Sequence, residues 1–184
     1  MDTTSISLLD QVRSGADERA WERFVTLYTP FLFSCAQRAG LDHHDSCELV
    51  QDVLLHLLSE LPKFRYDDAL HSFRGWLRTV TINKCRERFR KRVPSGLDQT
   101  IDLAAIEEEA FWEVEHRDFL ARRAMQIMQD EFETRTWRAC CEFIMSGRKA
   151  ADIAAELGMS EAAVFMAKSR VLNRLRRELS GLVE

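Results

Sequence analysis

KAADIAAELGMSEAAVFMAKSRVLNRLRREL, residues 149–179, is the stretch from which the fold can be read. Ala150–Leu157 has the length and spacing of a short helix, Gly158 permits a tight turn, and Ser160 can cap a second helix running to residue 179. That is the helix-turn-helix layout, in which the second helix enters the major groove of DNA. At the helical step of about 100° per residue, Val164, Val171, Leu172, Leu175 and Leu179 share one side of this helix. Ala162, Met166, Ser169, Arg170, Asn173 and Arg177 share the other. Between residues 168 and 177 there are five basic side chains and no acidic one, so one face packs while the other suits a polyanion. The candidate contacts to duplex DNA are Arg148, Lys149, Ser160, Phe165, Met166, Ser169, Arg170, Arg174 and Arg177. Phe165 and Met166 offer base edges no charge, but they can touch thymine methyl groups.

Helical periodicity extends over the rest of the chain. Residues 118–131 and 134–146 predict two helices ahead of the helix-turn-helix. At the other end, residues 5–14 and 17–39 predict helices, with Pro30 expected to kink or split the second and Gly40 placed to end it. Asp45 with Glu48 three residues on predicts the start of another helix, an Asp variant of the capping box. Its apolar stripe is Val50, Val53, Leu54, Leu57, Leu58 and Leu61, and Pro62 stops it. The segment 63–72 predicts a polar, aromatic-bearing loop, and Phe73 to about Arg90 a helix with Phe73, Trp76, Leu77 and Val80 on one face. Only 7 glycines and 3 prolines occur, and nothing alternates with the period of a strand. The expected fold class is all-α: two small helical domains, residues 1–92 and 118–184, joined by an acidic linker at 93–117.

Charge supports that division. The net −4 is not spread evenly. Residues 1–92 hold 14 basic and 13 acidic side chains, residues 93–117 hold 1 and 7, and residues 118–184 hold 11 and 10. All the excess negative charge lies in the middle. Ile106, Ala110 and Val114 recur there at four-residue steps, with Phe111 and Trp112 beside them, and apolar residues of that size predict docking on something more than a free tether.

A second cationic stretch, KCRERFRKR at 84–92, holds six basic residues, one acidic and one aromatic. Such a run binds phosphates in a sequence-blind, salt-sensitive way. Phe64, Arg65, Tyr66, His71, Phe73 and Arg74 precede it, and aromatics interleaved with cations suit unstacked bases of a single strand. Opposite the apolar stripe of the helix at 45–61 lie Glu48, Gln51, Asp52, Leu55 and Ser59, on their own a solvated face.

Several classes of function are not supported. The five cysteines include no CxxC pair, and Cys35, His43, His44 and Cys47 match no spacing that builds a tetrahedral site, so no metal or other cofactor is expected. Gly-rich phosphate loops, GxSxG and paired metal ligands on one helix face are missing, and Asp67 and Asp68 read as solvated loop charges, so no enzyme is expected. No run approaches the ~20 apolar residues of a membrane span, and the N-terminus has no basic-then-apolar leader, so a cytoplasmic protein without membrane insertion is expected.

ELVQDVLLHLL (48–58) followed by FRGWLRTVTINKCRERFRKR (73–92) resembles region 2 of extracytoplasmic-function sigma factors, and the C-terminal helix-turn-helix resembles their region 4. The resemblance implies a subunit that gives RNA polymerase its promoter preference, with core RNA polymerase and promoter DNA as partners and an anti-sigma factor as a further one. It implies that Glu48, Leu49, Gln51, Asp52 and Leu55 meet the clamp of the largest polymerase subunit. The downstream (−10) element would be captured and melted by Phe64, Arg65, Tyr66, His71, Arg74, Arg78, Asn83, Arg86 and Arg90. The recognition helix would read the upstream (−35) element as duplex, and the acidic linker would thread toward the RNA exit path. The alternative is a helix-turn-helix regulator binding duplex DNA as a dimer without polymerase, which leaves residues 63–92 without a task.

Overall fold

The computed structural model describes residues 7–15, 17–64, 72–92 and 103–183. Arg65, Tyr66, Asp67, Asp68, His71 and the break at Pro94 lie outside the described residues. The described elements are helical: α1 (Leu8–Ser14), α2 (Glu18–Arg38), α3 (His43–Glu60), α4 (Phe73–Arg92), α5 (Ala104–Glu107), α6 (His116–Met128), α7 (Thr134–Met145), α8 (Ala150–Leu157) and α9 (Glu161–Leu179). Short 3-10 turns follow α3 and α6, and a π-helical turn covers Phe111–Glu115. Contacts divide the chain into two units, Met1–Leu120 with Leu179–Glu184, and Ala121–Glu178.

In the first unit α2 runs unbroken through Pro30 and is not split by it. Its end is set by Gly40 at φ 93°, where the Gly40 amide reaches the Gln37 carbonyl at 3.0 Å and the Leu41 amide reaches Ala36 at 3.1 Å. This is the left-handed glycine closure the sequence predicts. The start of α3 differs from expectation: Asp42 is the N-cap, its carboxylate accepting from the Asp45 amide at 2.9 Å. Asp45 sits in the first turn, where its charge complements the helix dipole. The buried stripe of α3 is also rotated. Leu49, Val53 and Leu57 are wholly buried, whereas Leu58 is 52% exposed.

Behind α2 and α4 lies an aromatic core. Phe24 stacks on Tyr28 at 4.6 Å between centroids, and Phe73 meets both edge-on at 5.9 Å. The acidic segment joins this core. Ile106, Phe111 and Trp112 are buried, Trp112 packs edge-on to Phe31 at 5.2 Å, and its indole N–H donates to the Ile106 carbonyl at 2.8 Å. The i, i+4 stripe is not what docks, since Ala110 and Val114 are exposed. An extended Glu108 and the π-helical turn break the 3.6-residue period that the stripe presupposes.

The second unit has a core of small side chains, Ala139, Ala150, Ile153, Ala154, Val164 and Ala167, with Phe143, Leu157 and Met159 against it. On α9, Val164 and Val171 are buried as predicted, while Leu172 and Leu175 are half-buried; Leu179, which belongs to the first unit, is buried as well.

His116, the first residue of α6, is fully buried between Tyr28, Phe31 and Trp112, with Nε2 3.3 Å from the Tyr28 hydroxyl and Nδ1 unpaired. Burial, with Arg74 adding in the same direction, pushes its pKa down to about 3. The unfolded imidazole titrates near 6.5, so below that pH the unfolded chain holds a proton that the folded one refuses. Stability therefore falls as pH drops from about 6.5, by about 2 kcal/mol at pH 5 from this residue. Thermal melts at pH 7 and pH 5 should show that loss, and His116→Gln should remove most of it; an equal acid sensitivity in both proteins contradicts the assignment.

Candidate nucleic-acid interface

In the first unit, α4 carries an outward row, Gly75, Arg78, Thr79, Asn83 and Arg86, which with the buried Ile82 lines a recess of about 340 Å³. Ser72 starts the helix, its hydroxyl accepting from the Gly75 amide at 3.1 Å. Opposite the row, Phe73, Leu77, Cys85 and Phe89 anchor α4 in the core, which fixes the outward row by elimination. Arg90 is exposed further along the helix. Phe64 does not stand free: its ring lies 4.9 Å from that of Trp76 and 6.3 Å from that of Phe73. Of the expected strand-capturing residues, Arg78, Asn83 and Arg86 are brought together, Arg74 stands one turn before Arg78 on α4, Phe64 packs on Trp76 and Phe73, and Arg65, Tyr66 and His71 lie outside the described residues.

The acidic segment closes the other side of this recess. Arg78 donates to the Glu107 main-chain carbonyl, Arg86 Nη2 lies 2.6 Å from the Glu107 carboxylate, and Arg74 lies 3.7 Å from Glu113. Arg38 similarly meets Glu115 at 2.9 Å. Glu107 is not singled out by the sequence. Its only signal there is a negative charge one residue after the apolar Ile106.

On α3, Gln51 is exposed and Leu55 is 65% exposed, with Leu58 beside it. Leu49 is wholly buried and supports this face from beneath. Glu48 and Asp52 converge on one guanidinium, with Arg88 reaching Glu48 by Nη1 and Asp52 by Nη2 at 2.6 Å. Burial works to lower the Arg88 pKa, but the hydrogen bonds to Asp52 and Glu48 outweigh it and raise the pKa. Arg88 belongs to the cationic run 84–92, yet it clasps α3 to α4 instead of facing outward.

In the second unit, the turn has the expected construction. Gly158 is left-handed at φ 62°, and the Ser160 hydroxyl accepts from the Ala163 amide at 3.1 Å, so it serves as a cap. The outward face of α9 is Ala162, Met166, Ser169, Arg170 and Asn173, all exposed. Met166 is 63% exposed and Phe165, packed edge-on to Phe143 at 5.4 Å, is 50% exposed. Lys149 is exposed ahead of α8, and Arg177 is exposed with Nε donating to the Asn173 carbonyl at 3.3 Å. Two expected DNA contacts are engaged elsewhere. Arg174 pairs with Glu131 at 2.9 Å and Glu178 at 2.7 Å, and Arg148 pairs with Glu142 and, at 2.8 Å, with Glu156. The Arg148 hydrogen bond lowers the Glu156 pKa.

The Cys/His cluster does not converge. Cys35 is buried, His43 lies 3.8 Å from Cys47, and His44 faces Glu48 at 3.4 Å. Among the described residues no group of three His, Cys, Asp or Glu side chains is placed to hold a metal ion, and no helix is long and apolar enough to cross a membrane.

Residues 24–93, which contain α3, α4 and most of α2, match the family described as Sigma-70 region 2. The match spans 70 of the 184 residues and makes this region similar to sigma-70 region 2. One similar solved chain comes from "Structure of CnrH in complex with the cytosolic domain of CnrY"; it is 24% identical, with 91% of this chain and 92% of that chain covered at a TM-score of 0.39. No curated protein sequence matches this chain.

The Arg88 clasp gives a direct test of how this region is held. Arg88→Ala leaves two carboxylates one helical turn apart without their shared cation, and should cost about 1–3 kcal/mol, read as a lower melting temperature. An unshifted melting curve would show that α3 and α4 are held by apolar packing alone.

Proposed function

We propose that the protein is a sigma factor of the extracytoplasmic-function type, acting in the cytoplasm without catalysis of its own. It binds core RNA polymerase through α3, captures the melted downstream element on α4 and the segment preceding it, and reads the upstream element with α9. The observation that carries this reading is the sigma-70 region 2 match over residues 24–93, followed in the chain by a second helical unit with an exposed, mixed apolar and basic helix face. An anti-sigma factor fits the same reading as a partner that covers these faces.

The contact to polymerase falls to Glu48, Gln51, Asp52 and Leu55, with Leu49 beneath them. Gln51 is the cleanest probe, because it is exposed and its replacement leaves the Arg88 clasp intact. Runoff transcription with purified core polymerase should depend on the added protein, and Gln51→Arg should weaken core binding without moving the melting temperature. Transcription no different from core enzyme alone would refute the sigma reading.

The upstream contact falls to the outward face of α9, and its chemistry is largely apolar. Ser169 and Asn173 already bond to one another at 3.5 Å, and Asn173 also accepts from Arg176 at 3.0 Å. That leaves Met166 and Phe165 to meet base edges, with Arg170 and Lys149 beside them for phosphates or guanine. The apolar group that the major groove displays is the thymine methyl. In a promoter used by the holoenzyme, deoxyuridine in place of thymidine in the upstream element should weaken binding by about 1 kcal/mol per lost contact. Met166→Ala should abolish that sensitivity. Equal binding of both duplexes would remove Met166 from base reading.

A further inference from the structure

Three features of the recess on α4 belong together. Its cations, Arg78 and Arg86, are the ones expected to hold the phosphates of a captured strand, and both are engaged by a single residue of the acidic segment, Glu107. Glu107 offers Arg86 a carboxylate and Arg78 a carbonyl oxygen, two oxygens presented to two guanidiniums much as a phosphodiester would present them. The residue is also held unevenly. Its main chain is pinned, because Ile106 next to it is wholly buried and the Trp112 indole holds the Ile106 carbonyl at 2.8 Å. Its side chain is 38% exposed, facing an Arg86 that is 51% exposed, so rotation about side-chain bonds alone frees the carboxylate from Arg86.

We infer that Glu107 is a built-in competitor for the backbone phosphate of a single strand at Arg86, with the site closed by the chain's own carboxylate until nucleic acid displaces it. The inference rests on the strand-capture reading of α4. The ion pair is solvent-exposed, and pairs of that kind are weak. The competition is therefore mild: it screens out weak or short anions and yields to a strand that binds several cations at once. The carbonyl on Arg78 stays in place during the exchange because the buried neighbours hold the main chain. The swap takes place at Arg86, with Asn83 beside it in the recess. Glu113, 3.7 Å from Arg74, supplies a similar but looser restraint at the other end of the row.

The experiment uses the full chain and a short fluorescein-labelled oligodeoxythymidylate, followed by anisotropy across a salt series. Glu107→Gln keeps the shape and the main-chain carbonyl while removing the charge. It should tighten binding about two- to five-fold at low salt, the range expected for loss of one exposed pair. It should also steepen the salt dependence by about one counterion. Arg86→Ala should weaken binding, and Glu107→Gln added to Arg86→Ala should then have no effect. Glu108→Gln, which removes the same charge one residue away, should change affinity little. Melting curves of each variant report whether the fold is kept. The proposal is overturned if Glu107→Gln leaves affinity unchanged while Arg86→Ala weakens it, or if Glu108→Gln tightens binding as much as Glu107→Gln. If neither Arg78→Ala nor Arg86→Ala changes affinity, the strand-capture reading of α4 fails first, and the competitor role fails with it.

Discussion

The edge-to-face packing of Trp112 on Phe31, with His116 buried beside both, governs the arrangement of the first unit. Two large rings and an imidazole withdrawn from water commit the acidic segment to the helical core, since exposing them again would cost several kcal/mol of apolar burial. Once that anchor is set, Ile106 is carried inward and Glu107 arrives at the recess on α4. The connection from packing to electrostatics is therefore short. Aromatic burial decides where Glu107 stands, and Glu107 in turn engages Arg78 and Arg86.

Much of the helical plan was legible because it is local. Gly158 and Ser160 state the turn before α9 in two residues, Gly40 states the end of α2, and the last four helices fall close to where periodicity puts them. The misplacements have equally local causes. Two aspartates stand three residues apart at the start of α3, and Asp42 takes the cap because its carboxylate reaches the amide of Asp45. Leu49 and Leu58 both fit an apolar stripe, and only packing against α2 and α4 decides which one turns inward. In the acidic segment an extended residue and a π-helical turn defeat periodicity altogether.

The candidate interfaces were legible as compositions but not as surfaces. A run of arginines says that cations are present, and it does not say which of them are already paired. Arg88 lies in the middle of the cationic run and points to Glu48 and Asp52; Arg174 lies on α9 and points to Glu131 and Glu178. Glu48, Asp52 and Glu131 are 36 or more residues away, out of reach of a window of sequence, whereas Glu178 stands one helical turn on from Arg174. A chain with net charge −4 thus keeps part of its positive charge neutralised internally, and its outward basic surface is smaller than counting residues implies.

The clean separation of the two sides of α9 has an evolutionary consequence. Val164, Ala167 and Val171 carry the packing, while Ala162, Met166, Ser169 and Arg170 take almost no part in it. Surface substitutions away from packing typically change stability by no more than about 0.5 kcal/mol. Mutations at those four positions can accumulate without threatening folding, so a lineage of duplicated copies is free to vary the chemistry of this face while retaining one scaffold.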